Sequence, residues 1–485
     1  NNSIKYPNKD CLVIDDLIFS YSEFYNEVIK TIIFFRKNNI NKKNIVGIVE
    51  DNTLSHILSL FALSSIGAKT VPLNNHYSKN VILNIFKDLK IDILISNHTN
   101  AKFLKKKINF KKIISTTKSK KFLFFDDYKK IKFYKNKNKL TNNINDDYII
   151  LLTSGSTGNP KPIVFSQKNK IYRSRSMAKL YNISSSDRIS ITCLIDHSLG
   201  MRLLFLPILN CATCVVITKF TKDNYYECVK KNKITFSILV SSQINQIAAD
   251  THRFNNFYLK KGLVSSAGKL SNNLKKKIIK KKIKLYEMYG ASEIGTVTSI
   301  NLTKEKNKIH SVGKSYEKNI DIKILSKKNE FLSSNQKGEI ICKTPALFTK
   351  YYKLANITKK SLFKGYFKTG DIGYLDKNKY LFFVGRKKYI IKRSGITIYP
   401  EDIENILLNT KNIDEVAVVG KKTPLNELVY LFVKKNKKIN ENLIKTICIK
   451  KMSIFQLPDK IILINNFKKT SIGKINKKSL LKLTN

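Results

Sequence analysis

The chain has no tryptophan, and arginine is scarce: eight occur among 485 residues, where lysine and arginine together number 90. Arginine's planar fork is the usual means of bidentate phosphate and base contact. The formal charge of +55 is therefore built almost wholly of lysine, in scattered runs such as Lys275-Lys276-Lys277 and Lys280-Lys281-Lys282, beside abundant Asn, Ile, Phe and Tyr. This reads as the imprint of an AT-rich genome on surface positions, with no specific nucleic-acid partner expected. A polyanion-binding surface is the competing reading. The interleaved stretch KFLKKKINFKKI (Lys102 to Ile113) supports it locally, because basic and aromatic residues alternate as in single-strand binders.

Other absences narrow the class further. No apolar run approaches the ~20 residues of a membrane-spanning helix, so no transmembrane segment is expected. Seven cysteines, an odd number with no signal peptide before them, suit reduced thiols in a cytoplasmic protein. Cys211-Ala-Thr-Cys214 is the one CxxC spacing, and it lies inside the apolar run Ile208 to Ile217. A buried strand accounts for it better than zinc or redox chemistry. The chain opens on Asn1 rather than Met, which fits a trimmed start where targeting information could have been lost. There is no internal repeat.

What remains is an ordinary hydrophobic fraction of 42%, enough for a sizeable core, in a chain long enough for two or three domains. Residues 45–73 alternate β-rich run, helix-period stretch and β-rich run, as a βαβ unit does. The run Ile91 to Ile95 continues the rhythm. Residues 100–145 are Lys/Asn-rich and read as a variable surface region. The α/β rhythm resumes from Tyr148 to about Ser299. From about 309 to 385 short alternating strands are punctuated by glycine, as in a small β-rich unit. After Gly385 a last segment mixes strands (Glu415 to Val419, Leu428 to Val433) with helical patterns.

One stretch carries chemistry on its face. Asp147 to Leu152 is a strand, and TSGSTGNPK (Thr153 to Lys161) follows at once. Gly155 and Gly158 let backbone N–H groups approach an anion. Ser154, Ser156 and Thr157 add hydroxyls, and Lys161 adds a mobile cation. It is not a Walker A loop, which needs GxxxxGK followed directly by Ser or Thr at a helix start; here Lys161 stands between Pro160 and Pro162.

Four further stretches follow in order: YEMYGASE (Tyr286 to Glu293), YFKTGDIGYLD (Tyr366 to Asp376), VGRKKYIIKRSGITIYPEDIE (Val384 to Glu404) and KTSIGKINKKSL (Lys469 to Leu480). With TSGSTGNPK, this set resembles the adenylate-forming superfamily of acyl-CoA synthetases, luciferases and nonribosomal peptide adenylation domains. The resemblance covers nearly the whole chain. It implies an α/β fold: a large N-terminal domain (1–385) of doubly wound α/β subdomains plus a small β-rich unit, then a mobile α+β C-terminal domain (386–485).

The resemblance also implies a reaction. A carboxylic acid attacks the α-phosphate of ATP, and the resulting acyl-adenylate passes to a thiol, of coenzyme A or of a phosphopantetheinyl carrier protein. Thr153 to Lys161 would hold phosphates. Glu293 would ligate Mg²⁺, and Ser292 would donate to the α-phosphate. Tyr289 would lie along the adenine, with Gly290 leaving room and Gly268 in a second adenine-contacting loop. Asp371 and Arg386 would hold the ribose. Lys474 would bridge the substrate carboxylate and the α-phosphate. His197, Gly200, Val240, Ile244 and Ile294 would line a partly apolar acid pocket, open to aliphatic, fatty or aromatic acids. Lys388 would be the hinge, and Lys392 and Gly395 would face the thiol step after rotation. Ser292, Lys161 and Lys474 are the expected catalytic groups.

Departures from the family wording mark divergence: Pro162 and Asn210-Cys211 stand where Gly is common, Lys387 and Tyr389 where small or acidic residues are, and SSAGKLS lacks the common Gly-Gly-Ala-Pro. None removes a principal reacting group. The expectation is an AMP-forming acyl- or aryl-CoA ligase. Acyl or aminoacyl loading of a carrier protein is the nearest alternative, and a non-catalytic basic binding protein the remote one.

Overall fold

In the computed structural model of the chain, the described residues are 2–132, 143–153, 161–268, 270–393, 396–410, 412–423, 426–436, 439–470 and 474–484. Expected loop residues 154–158, together with Gly395, lie outside them.

Runs rich in Val and Ile, apolar on both faces, form parallel strands that must be covered on two sides. Two eight-stranded sheets result. In the first, six parallel strands run from Leu285–Ala291 through Gly262–Ser266, Phe236–Val240, Arg188–Ile191 and Thr213–Val216 to Asp10–Ile14. Antiparallel Gly295–Asn301 and Leu17–Ser20 close its edges. The second centres on parallel Ile45–Val49, Lys69–Leu73 and Ile93–Ser96, and ends at the antiparallel pair Asp147–Thr153 and Lys161–Ser166, with Lys350–Tyr351 beyond.

Helices Tyr21–Lys37, Leu54–Ile66, Gln167–Leu180 and Ser198–Leu209 contribute to one buried cluster that also takes residues from both sheets. The outer face of each sheet has its own cluster, built with other helices. This is the doubly wound arrangement expected. The CxxC resolves as expected too: Cys214 is fully buried in the strand Thr213–Val216, and the described cysteines are free thiols.

The region 100–145 departs from its expected character. Helix His98–Lys105, strand Lys112–Ser115 and a 3-10 turn Phe125–Lys130 occupy it, and Ile114, Phe125 and Tyr128 are core residues. Lysines at the exposed positions dilute the apolar pattern, so short elements with few buried residues do not stand out by periodicity.

Residues 321–386 form a five-stranded antiparallel sheet. Beyond it the chain builds separate small cores around Val416–Lys422, Glu427–Lys434 and Lys460–Ile464, packed by Pro400–Leu408 and Glu441–Lys451. Among the described residues, no helix is long and apolar enough to cross a membrane.

Candidate active site

The six parallel strands of the first sheet end at one edge, where open α/β sheets bind ligands. The loops leaving three of them carry His197, Gly268 and the Ser292–Glu293 turn, and Val240 is the last residue of a fourth. His197 precedes the helix Ser198–Leu209, and its Nε2 is buried with no hydrogen-bond partner. Gly200 is buried in that helix's first turn, and Val240 is 6% exposed. A Cβ on Gly268 would lie 3.0 Å from the Ser241 hydroxyl oxygen, itself buried and unpartnered. Ile244 and Ile294 are fully buried members of the hydrophobic clusters, so burial in the core accounts for both.

Tyr289, two residues before the end of its strand, meets the five-stranded sheet. Its hydroxyl donates to Asp371 Oδ2 at 2.8 Å. Asp371 (Tyr366–Leu375) and Arg386 (Leu381–Arg386) face each other across an antiparallel pair, and Arg386 Nε lies 2.8 Å from Asp371 Oδ1. That contact is ionic without hydrogen-bond alignment, which leaves Oδ1 a buried acceptor with lone pairs to spare. Burial raises the Asp371 carboxyl, while Arg386, Tyr289 and Lys474 pull it down. Arg386 is anchored in turn by donating to the Thr369 carbonyl at 2.9 Å.

Gly290 also has a structural reason of its own. A Cβ there would collide with the Gly295 carbonyl oxygen across the hairpin, so the turn itself excludes a side chain. Gly295, at φ 72°, closes the same turn in the left-handed region. Between them sit Ser292 and Glu293. The Tyr351 hydroxyl donates to Glu293 Oε1 at 3.0 Å, and the Phe348 N–H donates to the Glu293 carbonyl at 2.7 Å. Burial, with the Glu293 charge adding, pushes the Tyr351 phenol up and keeps it a donor. Lys161 places its ammonium 5.4 Å from the centre of the Tyr351 ring. Thr153 pairs with Lys161 in register, and its hydroxyl donates to the Lys161 carbonyl at 3.3 Å.

Lys474 comes from the C-terminal unit. The Thr470 N–H donates to its carbonyl at 2.7 Å, and its own N–H donates to the Thr470 hydroxyl at 3.2 Å. The residue is exposed. Burial lowers its pKa and Arg386 lowers it further, while Asp371 opposes. Tyr289, Asp371 and Arg386 form one contacting group. Lys388 lies in the exposed turn Lys387–Tyr389, 4.5 Å from the Tyr389 ring centre. Lys392 is exposed and hydrogen-bonded to Thr397 and Glu427 within the C-terminal unit.

Two contributors escaped sequence reading. Tyr351 lies in no motif. Arg173 binds the backbone of the Ser292–Glu293 turn; its signal was rarity, one of eight arginines in a lysine-dominated chain. No group of three or more His, Cys, Asp or Glu residues among the described residues could hold a metal. A lone Glu293 carboxylate fits a hard cation that takes its other ligands from phosphate and water.

The sequence profile of the AMP-binding enzyme family matches residues 2–352, and that of the AMP-binding enzyme C-terminal domain matches residues 402–474. The chain is 24% identical to a 2-succinylbenzoate–CoA ligase of Listeria innocua over 479 residues, covering 98% of this chain and 96% of that protein. It is 26% identical to an indoleacetate–CoA ligase of Aromatoleum aromaticum over 342 residues, covering 69% of this chain and 67% of that one. In fold it is similar to O-succinylbenzoate coenzyme A synthetase from Bacillus subtilis, solved with ATP and magnesium ion: TM-score 0.88 at 19% identity, over 99% of this chain and 98% of that one.

Proposed function

The chain belongs to the AMP-binding enzyme family, and on that footing we propose that it is an AMP-forming acid–thiol ligase. It joins a carboxylic acid to ATP and passes the acyl group to the thiol of coenzyme A. In the first half, a carboxylate oxygen bonds to the α-phosphorus and pyrophosphate leaves. In the second, the thiol sulfur bonds to the acyl carbon, its proton is lost, and AMP leaves.

The first half brings two anions together, so charge must be neutralised and the reactants held in line. Lys474 does this from the C-terminal side, reaching the carboxylate and the α-phosphate together. Asp371 accepts from the ribose hydroxyls through its spare lone pairs, with Arg386 beside it on the same sugar. Tyr289 packs along the adenine, with the Gly268 loop opposite. Ser292 donates to the α-phosphate. Lys161 and the residues from Thr153 onward hold the outer phosphates. Glu293 is the side chain that would hold Mg²⁺, which would supply positive charge against the phosphates.

The observation that supports this reading is buried Asp371, with Tyr289 and Arg386 each at 2.8 Å and Oδ1 left as a spare acceptor, whose charge Lys474 of the C-terminal unit also favours. Asp371 and Lys474 come from separate units, and neither a surface-charge role nor core packing calls for that pairing. In this reading the mobile C-terminal domain spans 386–485, and rotation about Lys388 withdraws Lys474 and brings Lys392 and Gly395 to the thiol step. The acid is aromatic rather than fatty, supported by the names of the two relatives above, and His197, Gly200 and Val240 meet it. We place the enzyme in the cytoplasm, which its free thiols suit.

The test is carboxylate-dependent ATP–pyrophosphate exchange with Mg²⁺ over aryl, fatty and amino acids. Exchange with an aryl acid, lost in Lys474→Ala, is the expected result. No exchange with any acid, from folded protein that binds ATP, overturns the reading. Acyl transfer to free coenzyme A, compared with transfer to a carrier protein, decides the acceptor.

A further inference from the structure

The turn that carries Ser292 and Glu293 is held from behind by a side chain with no role in the reaction described so far. Arg173, in the helix Gln167–Leu180, is 4% exposed. Its Nε and Nη2 donate to the Ala346 carbonyl at 2.9 and 2.6 Å, its Nη1 to the Ser292 carbonyl at 3.0 Å, and its Nη2 to the Glu293 carbonyl at 2.8 Å. The guanidinium carbon lies 4.3 Å from the centre of the Phe165 ring. Three parts of the fold meet on this one group: a helix of the second sheet, the segment leading to Tyr351, and the turn at the edge of the first sheet.

The arrangement is costly. Arg173 forms no ion pair among the described residues. Burial lowers its pKa well below the usual value, and Arg202 adds to this while Glu293 and Tyr316 oppose it. Lys170, 5% exposed, lies over the same Phe165 ring at 4.1 Å. A neutral side chain would fill the space without desolvating a charge. What only a guanidinium supplies is a rigid fork of five donors, able to span three carbonyls at fixed angles.

We propose that Arg173 is a positioning residue of the adenylation site: it binds the Ser292, Glu293 and Ala346 carbonyls together and so fixes the turn from which the Glu293 carboxylate meets the metal and the phosphates. The Glu293 carboxylate is then held on two sides, by Arg173 through the backbone and by Tyr351 through the side chain. This rests on the assignment of Glu293 to the metal. A misplacement of about 1 Å at such a site can cost on the order of 10²-fold in rate.

The test uses the full chain, with Arg173→Lys, Tyr351→Phe, their double variant and Glu293→Gln. It reads the Mg²⁺ concentration giving half-maximal exchange, kcat and Tm. Glu293→Gln and Arg173→Lys should each raise the Mg²⁺ requirement about tenfold or more, and the effects of Arg173→Lys and Tyr351→Phe should fall short of multiplying, since both act through one carboxylate. An Arg173→Lys protein with lowered Tm but wild-type Mg²⁺ requirement and kcat would mean structural support only, and would overturn the proposal. Should that variant not fold, Gly295→Ala strains the same turn with Arg173 in place, and an unchanged Mg²⁺ requirement there overturns it equally. An unchanged requirement in Glu293→Gln removes the metal assignment and this proposal while leaving the ligase reading standing. Wild-type protein inactive with every acid removes all three.

Discussion

The N-terminal and C-terminal units hold their polar groups in opposite ways. Asp371, 3% exposed, is fixed by Tyr289 and Arg386, and Arg386 by the Thr369 carbonyl. Lys474 is exposed and, among the described residues, its hydrogen bonds run through its backbone to Thr470, four residues away. In the proposed function, the nucleotide half is preorganised and the half that supplies the cation can leave. A two-step reaction needs that division, because a lysine locked over the α-phosphate would obstruct the thiol.

The sharpest way to break the comparison is Lys474→Ala. Exchange should fall by about 10²–10³, as when other preorganised electrostatic groups are removed, with Tm unchanged because the side chain packs little. Asp371→Asn should do the reverse in kind. It breaks a buried ion pair and leaves Arg386 uncompensated, so Tm should drop and ATP should bind roughly 10–100-fold more weakly, the range for a lost hydrogen bond to a charged group. Equal Tm changes in the two variants would erase the distinction. Lys388→Pro should leave exchange nearly intact and slow acyl transfer several times more, measured as separate half-reactions; equal loss of both would count against a hinge there.

The smallest effect is a pH dependence where the units meet. Glu401, in Pro400–Leu408, presses its carboxylate against Gly385 at the end of the last N-terminal strand. Burial pushes its pKa from 4.5 up to about 7; the Lys477 charge opposes and the Glu404 charge adds. A carboxyl that protonates more readily in the folded state than in the unfolded state costs stability once ionised. The penalty is absent below about pH 4.5, grows as pH rises to about 7, and is constant above it. Glu401→Gln should therefore raise Tm by a few degrees at pH 8 and not at pH 4, by calorimetry. A gain independent of pH would rule the carboxyl out as its source.

The candidate reacting groups were legible in the sequence because such chemistry asks for particular residue types at particular spacings: Asp371, Arg386, Glu293 and Lys474 all stand in the motifs that resemble the family's. The βαβ rhythm was legible for the same reason, since parallel strands must be apolar on both faces. The supporting groups were hidden. Arg173 and Tyr351 lie 120 residues before and 58 residues after Glu293 in sequence, and only tertiary folding brings them together. The elements between 100 and 145 were masked by lysine on their exposed faces. Gly290 carries a second reason that spacing did not show, because a hairpin's steric demand on its own backbone leaves the same letter as a demand from a ligand.

The order of the strands sets a schedule for synthesis. The hairpin Asp10–Ser20 belongs to the first sheet, yet its parallel neighbour there is Thr213–Val216, and the strands between them in sequence build mostly the second sheet. At about 5–20 residues/s, the hairpin emerges on the order of 10–40 s before the strand that covers it. The second sheet can assemble first, with the N-terminal hairpin waiting as an apolar, unpaired edge. Chains arrested on the ribosome before residue 213 should show that hairpin open to protease, and those released past residue 301 should not.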